Sequence, residues 1–155
     1  MKSLVTTFAI LLGLSGVSSV SFASIESNDP IRCSQMERLA QDHKTWSVGF
    51  EKFQADFSHM KNEQQFFKAI RGTQRILQNL ENFSEVAHVE VNQDLLQESQ
   101  LDLDSAALGD VPKDKASFAL KEKMIRLQTE LSNAIFKAQA KTPDCNLGTV
   151  NSPTI

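Results

Sequence analysis

The sequence predicts an all-α protein, an up-and-down antiparallel bundle of four helices in which the third helix is short or irregular. Two long segments carry apolar residues at alternating spacings of three and four, which is the period of an amphipathic helix. The first of these segments lacks the alternation of period two that a half-buried strand would need. Two cysteines near the ends of the predicted domain then indicate how many helices there are.

The first 23 residues are predicted to be a cleaved secretory signal. Lys2 supplies one positive charge, residues 4–20 carry none, and the small residues Ser21 and Ala23 suit a signal peptidase. An uncleaved N-terminal membrane helix is the alternative. No later segment approaches the roughly 18 apolar residues of a membrane span. We therefore expect a secreted or periplasmic protein with a single domain at 24–145 and a flexible tail at 146–155.

Composition excludes several classes of protein. The 155-residue chain has 19 Asp and Glu against 16 Lys and Arg, which gives a formal net charge of -3. A general nucleic-acid binder needs a strongly cationic field, so nucleic acid is not expected as a partner. With 41% apolar and 23% charged residues, the chain is too hydrophobic to be disordered. Its length suits one domain.

The first helix is predicted over residues 30–60, with Asp29 as its N-cap and Pro30 in its first turn. Its stripe contains eight positions, of which His43 alone is polar. The positions are Met36, Leu39, His43, Trp46, Phe50, Phe53, Phe57 and Met60. Phe50, Phe53 and Phe57 are expected to anchor the core.

The second helix is predicted to begin where Asn62 could cap it, with Gln65 as its third residue. Its stripe runs through Phe66, Phe67, Ile70, Leu77, Leu80 and Phe83. Gly72 lies within this helix and weakens it by about 1 kcal/mol relative to alanine.

The last helix is predicted between Pro112 and Pro143. Its stripe is formed by Leu120, Met124, Leu127, Leu131, Ala134 and Ala138. Between these two helices the apolar pattern is poorer. Asn92 could cap a short third helix there, and Gly109 could end it in the left-handed conformation.

Two cysteines indicate the number of helices. Cys33 lies in the first turn of the first helix, and Cys145 follows the end of the last helix. Two such thiols are expected to pair in an oxidising compartment. Three long helices would leave the sulfur atoms some 40 Å apart. The predicted Cys33–Cys145 disulfide therefore requires a third helix within 85–108, and free or intermolecular thiols are the alternative.

His43, with Trp46 and Phe50, is the candidate ligand pocket. A buried imidazole could bind haem iron or another metal ion. The favoured interpretation is a core histidine hydrogen-bonded to a neighbour. The last helix contains no histidine that could supply a second ligand, and the sequence has no Cys-x-x-Cys-His motif. We therefore expect no cofactor and no metal.

Other catalytic and metal-binding patterns are incomplete. Glu85-x-x-His88 and Asp56-x-x-His59 have the spacing seen in di-iron bundles, which need matching carboxylate and histidine ligands on the other helices. The sequence also lacks a Gly-x-Ser-x-Gly turn and a glycine-rich phosphate loop. These observations predict a protein that is not an enzyme.

Charge is distributed unevenly along the chain. Residues 76–112 include eight acidic side chains and no Lys or Arg, whereas residues 113–141 include seven basic and three acidic ones. The favoured explanation is that adjacent helices complement each other. The alternative is a docking surface for a cationic protein partner. Its candidate partner-binding residues are Glu90, Asp94, Glu98 and Asp102.

Taken together, these patterns favour an exported, non-enzymatic bundle that acts through protein–protein contacts with a partner of unknown identity. The alternative function is a bundle that binds an apolar ligand, haem or a metal ion in its core, because bundle interiors commonly hold such sites.

Overall fold

The computed structural model describes residues 29–148, so the predicted signal peptide at 1–23 lies outside the described residues. Helix α1 spans Pro30–Asp56 and is followed by a 3₁₀ turn, Phe57–His59. Helices α2, α3 and α4 span Asn62–Ala87, Gln93–Leu108 and Lys113–Lys141. The predicted all-α bundle of four helices is confirmed. Its third helix is the short one, with 16 residues against 27, 26 and 29 in the others.

Several helix ends form as their residue types predict. Asp29 caps α1, and its Oδ1 accepts a hydrogen bond from the Ile31 N–H at 2.9 Å. Asn92 caps α3 in the same way, through the Leu95 N–H at 3.0 Å. Gly109 ends α3 with a φ of 78°, a conformation that favours glycine because it has no Cβ.

The junction between α1 and α2 differs from the prediction. Helix α1 ends at Asp56, earlier than expected, and the 3₁₀ turn follows it. Lys61 rather than Asn62 occupies the N-cap of α2, without a side-chain hydrogen bond. The Gln65 amide donates instead to the carbonyl oxygen of Phe57 at 2.6 Å. A hydrogen bond across the junction therefore takes the place of the expected capping box.

Helices α2 and α4 form the centre of the bundle and run parallel to each other. Their first turns meet at an ion pair between Glu63 and Lys113, with an N–O distance of 3.6 Å. Further along, the Thr73 hydroxyl lies 3.2 Å from the main-chain oxygen of Leu120. Small buried residues lie near this contact along both helices: Ala69, Gly72, Ala116 and Ser117. Small side chains let two helix axes approach closely.

Helices α1 and α3 flank this central pair and run antiparallel to α4. His43 of α1 contacts Ser132 of α4, and the Asn92 N–H at the start of α3 donates to the Glu130 carboxylate at 3.0 Å. Each flanking helix packs on both α2 and α4 and has little contact with the other flanking helix. The core therefore lies mainly around α2 and α4.

Cys33 and Cys145 form the predicted disulfide, with Cα atoms 5.4 Å apart and a sequence separation of 112. The packed structure continues beyond this bond. Leu147 is buried, and its N–H donates to the Gln139 side chain at 3.0 Å. The start of the segment expected to be a flexible tail is thus packed on α4, and residues 149–155 lie outside the described part.

None of the helices between residues 29 and 148 has the apolar run that a membrane span requires. The largest fully buried side chains of the hydrophobic core cluster include Phe83, Leu80, Leu120 and Leu127. Phe57 is also fully buried and packs against Phe53 and Phe118.

Candidate binding groove between α1 and α2

A groove of about 450 Å³ lies between α1 and α2. Its volume falls within the roughly 300 to 1,000 Å³ of typical small-molecule sites. The α1 wall consists of Thr45, Trp46, Gly49, Phe50 and Phe53. The α2 wall consists of Lys68, Arg71, Gly72 and Arg75, and Met124 of α4 also lines the groove. One wall is therefore largely aromatic and the other largely basic.

The aromatic wall belongs to a continuous row of rings that runs along α1 and ends at Phe57 in the 3₁₀ turn. Ring centroids are 4.9 Å apart between Trp46 and Phe50, 5.9 Å between Phe50 and Phe53, and 5.2 Å between Phe53 and Phe57. Phe50 and Phe57 are buried in the core, as expected. Phe53 is half-buried: its side chain packs against the core and also lines the groove together with Trp46. The flanking position of α1 leaves part of its apolar face uncovered.

Two glycines shape the groove from opposite walls. Gly72 is buried, and a Cβ at this position would overlap the terminal methyl group of Met124 and lie 3.6 Å from the Trp46 ring. An alanine at this position would require the Met124 side chain to shift, whereas glycine inside a helix costs about 1 kcal/mol relative to alanine. Gly49 is exposed, and a Cβ there would have no atom within 4 Å. A larger side chain at position 49 could therefore enter the groove without disturbing the core.

The basic wall is formed by Lys68, Arg71 and Arg75. Their spacings of three and four place them on one face of α2. All three are exposed, and no acidic side chain within residues 29–148 forms an ion pair with them. No motif marks these residues in the sequence. Their spacing is a signal that could have indicated a shared face, but only the packing of α1 on α2 places that face opposite Trp46.

His43 lies behind Trp46 rather than in the groove. Its side chain is 5% exposed, and its Nε2 lies 3.0 Å from the Ser132 Oγ. The Ser132 hydroxyl donates its hydrogen to the Gln128 carbonyl oxygen at 3.0 Å, so its oxygen accepts the His43 Nε2–H. The predicted buried, hydrogen-bonded histidine is confirmed. This contact also joins α1 to α4.

The candidate pocket of His43, Trp46 and Phe50 is therefore divided in the structure. Trp46 and Phe50 line the groove, whereas His43 borders a separate cavity of about 10 Å³ that also contacts Trp46. Such a cavity has room for about one water molecule. A haem group would not fit beside His43 without displacing its neighbours.

Burial lowers the pKa of His43 from 6.5 to about 4. Between these values the unfolded chain binds a proton that the folded protein does not. The contribution of neutral His43 to stability is therefore complete above pH 6.5 and is lost as the pH falls to about 4. We expect this histidine to lower the free energy of unfolding by about 3 kcal/mol across that range.

The variant His43→Gln should lose this part of the pH dependence. Urea denaturation between neutral pH and about pH 4 would measure it for wild type and variant. His59→Gln is the matched control, because it replaces an exposed histidine in the same way. A stability slope that is as steep in His43→Gln as in wild type would contradict the assignment.

Two of the four candidate partner-binding residues are engaged within the fold. Glu98 forms ion pairs with Lys123 and with Arg126, the latter at 3.5 Å, and Asp102 lies 3.8 Å from the Lys123 ammonium group. The hydrogen bond from Lys123, followed by its charge, lowers the pKa of Glu98 below its ordinary value. For these two residues, the expected complementarity between adjacent helices is confirmed.

The other two candidates, Glu90 and Asp94, are exposed near the start of α3 and make no ion pair within the described part of the chain. Leu101 and Leu108 follow Asp94 at spacings of seven, which places the three residues on one face of α3. The two leucines are 60% and 77% exposed. A protein surface on α3 therefore stays a prediction.

Neither carboxylate–histidine motif belongs to a cluster of three or more possible metal ligands within the described residues. His88 ends α2 in the left-handed conformation, with a φ of 49°, and is exposed, as is His59. Within residues 29–148, no group of three or more His, Cys, Asp or Glu side chains is arranged to hold a metal ion.

Similarity to known proteins provides no further indication of function. The chain matches no protein-family model, no curated protein and no solved structure. A function for this protein must therefore be inferred from the chemistry of the groove itself.

Proposed function

We propose that the protein is an exported, non-enzymatic binding protein that holds the apolar part of a small ligand in the groove between α1 and α2. The observation that carries this proposal is the aromatic wall of Trp46, Phe50 and Phe53 along a groove of about 450 Å³. Covering apolar surface contributes about 25 cal/mol per Å² removed from water, so a ligand with an apolar body gains affinity there.

Bonds to α4 and to the segment that follows it hold the α1 wall of the groove in place. The Cys33–Cys145 disulfide secures the first turn of α1, and the His43–Ser132 hydrogen bond secures its middle. Ser47 adds a hydrogen bond from the Gln128 amide of α4. A preformed site avoids much of the ordering cost that binding would otherwise incur.

Action through a protein partner at the acidic segment receives less support. Glu98 and Asp102 already pair with basic side chains of α4, which leaves Glu90 and Asp94 as the unpaired members of that set within residues 29–148. The groove between α1 and α2 combines an aromatic wall with a volume of about 450 Å³. The acidic segment at 76–112 offers exposed charge, two exposed leucines and a smaller, more polar pocket of about 270 Å³ lined by Glu81 and Asp104.

Fluorescence can test the groove directly, because Trp46 is the single tryptophan and the chain has no tyrosine. The neutral apolar dye N-phenyl-1-naphthylamine is expected to bind the full chain and to quench Trp46 emission by energy transfer. The variant Gly49→Leu places a side chain in the groove and should weaken dye binding by about ten-fold or more, equivalent to about 1.4 kcal/mol.

Gly49→Ala is the matched control, since it gains helix propensity without filling the groove. Both variants should be at least as stable as wild type, because glycine inside a helix costs about 1 kcal/mol. Wild-type protein that fails to bind the dye, or Gly49→Leu that binds it as tightly as Gly49→Ala, would overturn the proposed function.

A further inference from the structure

The basic wall of the groove indicates the charge of the ligand. Lys68, Arg71 and Arg75 lie on one face of α2, and like charges at these spacings destabilise a helix slightly. No acidic side chain of the described residues forms an ion pair with any of the three. An anion bound among the three side chains would relieve this repulsion. Arginine is suited to that role, because its planar guanidinium group binds a carboxylate through two hydrogen bonds.

We infer that the groove binds a free, single-chain amphiphile with an anionic head group, of the long-chain carboxylate class. This inference rests on the proposed function and adds the head group to it. The alkyl chain lies against the rings of Trp46, Phe50 and Phe53, and the carboxylate pairs with Arg71 and Arg75. The arginine and lysine stems can cover apolar surface while their charged ends reach the head group.

The dimensions of the groove favour one chain over a larger lipid. Its α1 wall runs from Thr45 to Phe53, which corresponds to about 12 Å of helix. A volume of about 450 Å³ is near the lower end of the usual range for ligand sites. One alkyl chain with its head group suits such a groove better than a lipid with two chains.

The overall charge favours a free amphiphile over a membrane surface. A protein that docks on anionic lipid headgroups usually presents several basic residues on a net cationic surface. This chain carries a formal net charge of -3, and the basic residues of the groove form a single row along it. The basic row is thus better suited to selecting one anion than to holding the protein on a bilayer.

Competition against N-phenyl-1-naphthylamine on the full chain tests the inference. The competitors are dodecanoate, dodecanol and dodecyltrimethylammonium, which share one alkyl chain and differ in head-group charge. The two ionic compounds are used below their micelle concentrations and dodecanol below its solubility limit. We expect dodecanoate to displace the dye at a concentration about ten-fold or more below that of dodecanol, with the cationic compound weakest. Added salt should reduce the preference for dodecanoate, because ions screen the head-group attraction.

The double variant Arg71→Gln with Arg75→Gln should lose about ten-fold in affinity for dodecanoate while binding dodecanol and the dye as wild type does. The matched control is Arg38→Gln with Lys61→Gln, which removes two cations that do not line the groove. Circular dichroism would verify that both double variants remain helical.

The outcomes separate the inference from the proposed function. Equal displacement by dodecanoate and dodecanol, with dye binding still blocked by Gly49→Leu, would overturn the anionic ligand and leave the groove as a binding site. Failure of the dye to bind the wild-type protein would overturn both the anionic ligand and the proposed function of the groove. A third outcome is that the protein sediments with phosphatidylglycerol vesicles and shows no preference for dodecanoate. That result would overturn the inference that the ligand is a free amphiphile and would indicate a membrane lipid as the source of the anion.

Discussion

The variant Cys145→Ser is expected to lower the free energy of unfolding by up to about 4 to 5 kcal/mol. The reason is that the Cys33–Cys145 bond closes a loop with a sequence separation of 112, and a loop of this length strongly restricts the unfolded chain. Thermal or urea denaturation of wild type and variant, under non-reducing conditions, measures the loss. The folded variant should remain helical by circular dichroism, since helices α2, α3 and α4 keep their mutual packing.

The effect of losing the disulfide should be concentrated at α1. This flanking helix would then be held to α4 by contacts along its length, such as the His43–Ser132 hydrogen bond. Hydrogen exchange should accelerate in the first turns of α1 before it does so in α2. The Cys33→Ser variant and the double variant are the controls, and all three should have equal stability. Reaction of both thiols with a maleimide in denatured, unreduced wild type would contradict the bond.

The number of helices could be predicted because two kinds of information converged. The spacing of apolar residues predicts the first and last helices of the chain from local geometry alone, whereas the third segment has a weak pattern. The Cys33–Cys145 disulfide supplies the missing evidence for the third helix. It joins the two ends of the bundle, and in an up-and-down bundle the two ends lie at the same side only if the number of helices is even. Asn92 and Gly109 then mark its ends, because capping depends on one or two residues rather than on tertiary contacts.

The arrangement of the helices could not be read in the same way. A stripe of apolar residues shows which face of a helix is apolar, but not how much of that face its neighbours cover. In this bundle, small residues such as Gly72 and Thr73 allow α2 and α4 to pack closely at the centre. Helix α1 is left at the side, so its aromatic stripe is divided between core and groove.

Because the sequence does not show how the helices pack, it indicates only the α1 residues of the candidate site. Trp46 and Phe50 were recognisable as a pair of neighbouring aromatic residues on one stripe, and both line the groove. Arg71 and Arg75 belong to another helix and become part of the site through the antiparallel packing of α1 on α2. Residues that meet only through such packing have no common sequence signal, since their separation along the chain is set by the intervening turn.

Phe57 and Phe53 provide a direct test of how the aromatic stripe is divided between core and groove, because they share this stripe and differ in burial. Phe57 has 0% exposure, its ring packs edge-on against Phe53 and Phe118, and the Lys121 ammonium group lies 4.8 Å from its centroid. Truncation of a ring in this environment leaves a cavity. Phe57→Ala is therefore expected to lower the free energy of unfolding by about 3 to 5 kcal/mol.

Phe53→Ala should lower the free energy of unfolding by roughly half that amount or less, because its half-buried ring already lines an open groove and its removal creates no closed cavity. Urea denaturation of the two variants measures the difference.

Binding of N-phenyl-1-naphthylamine should show the opposite order. Phe53→Ala should weaken the affinity for the dye, whereas Phe57→Ala, where folded, should bind it nearly as wild type does. Equal losses of stability would mean that Phe53 belongs to the core after all. If Phe53→Ala binds the dye as tightly as wild type does, the Phe53 ring does not contact the ligand, because truncation of a contacting side chain would lose apolar contact.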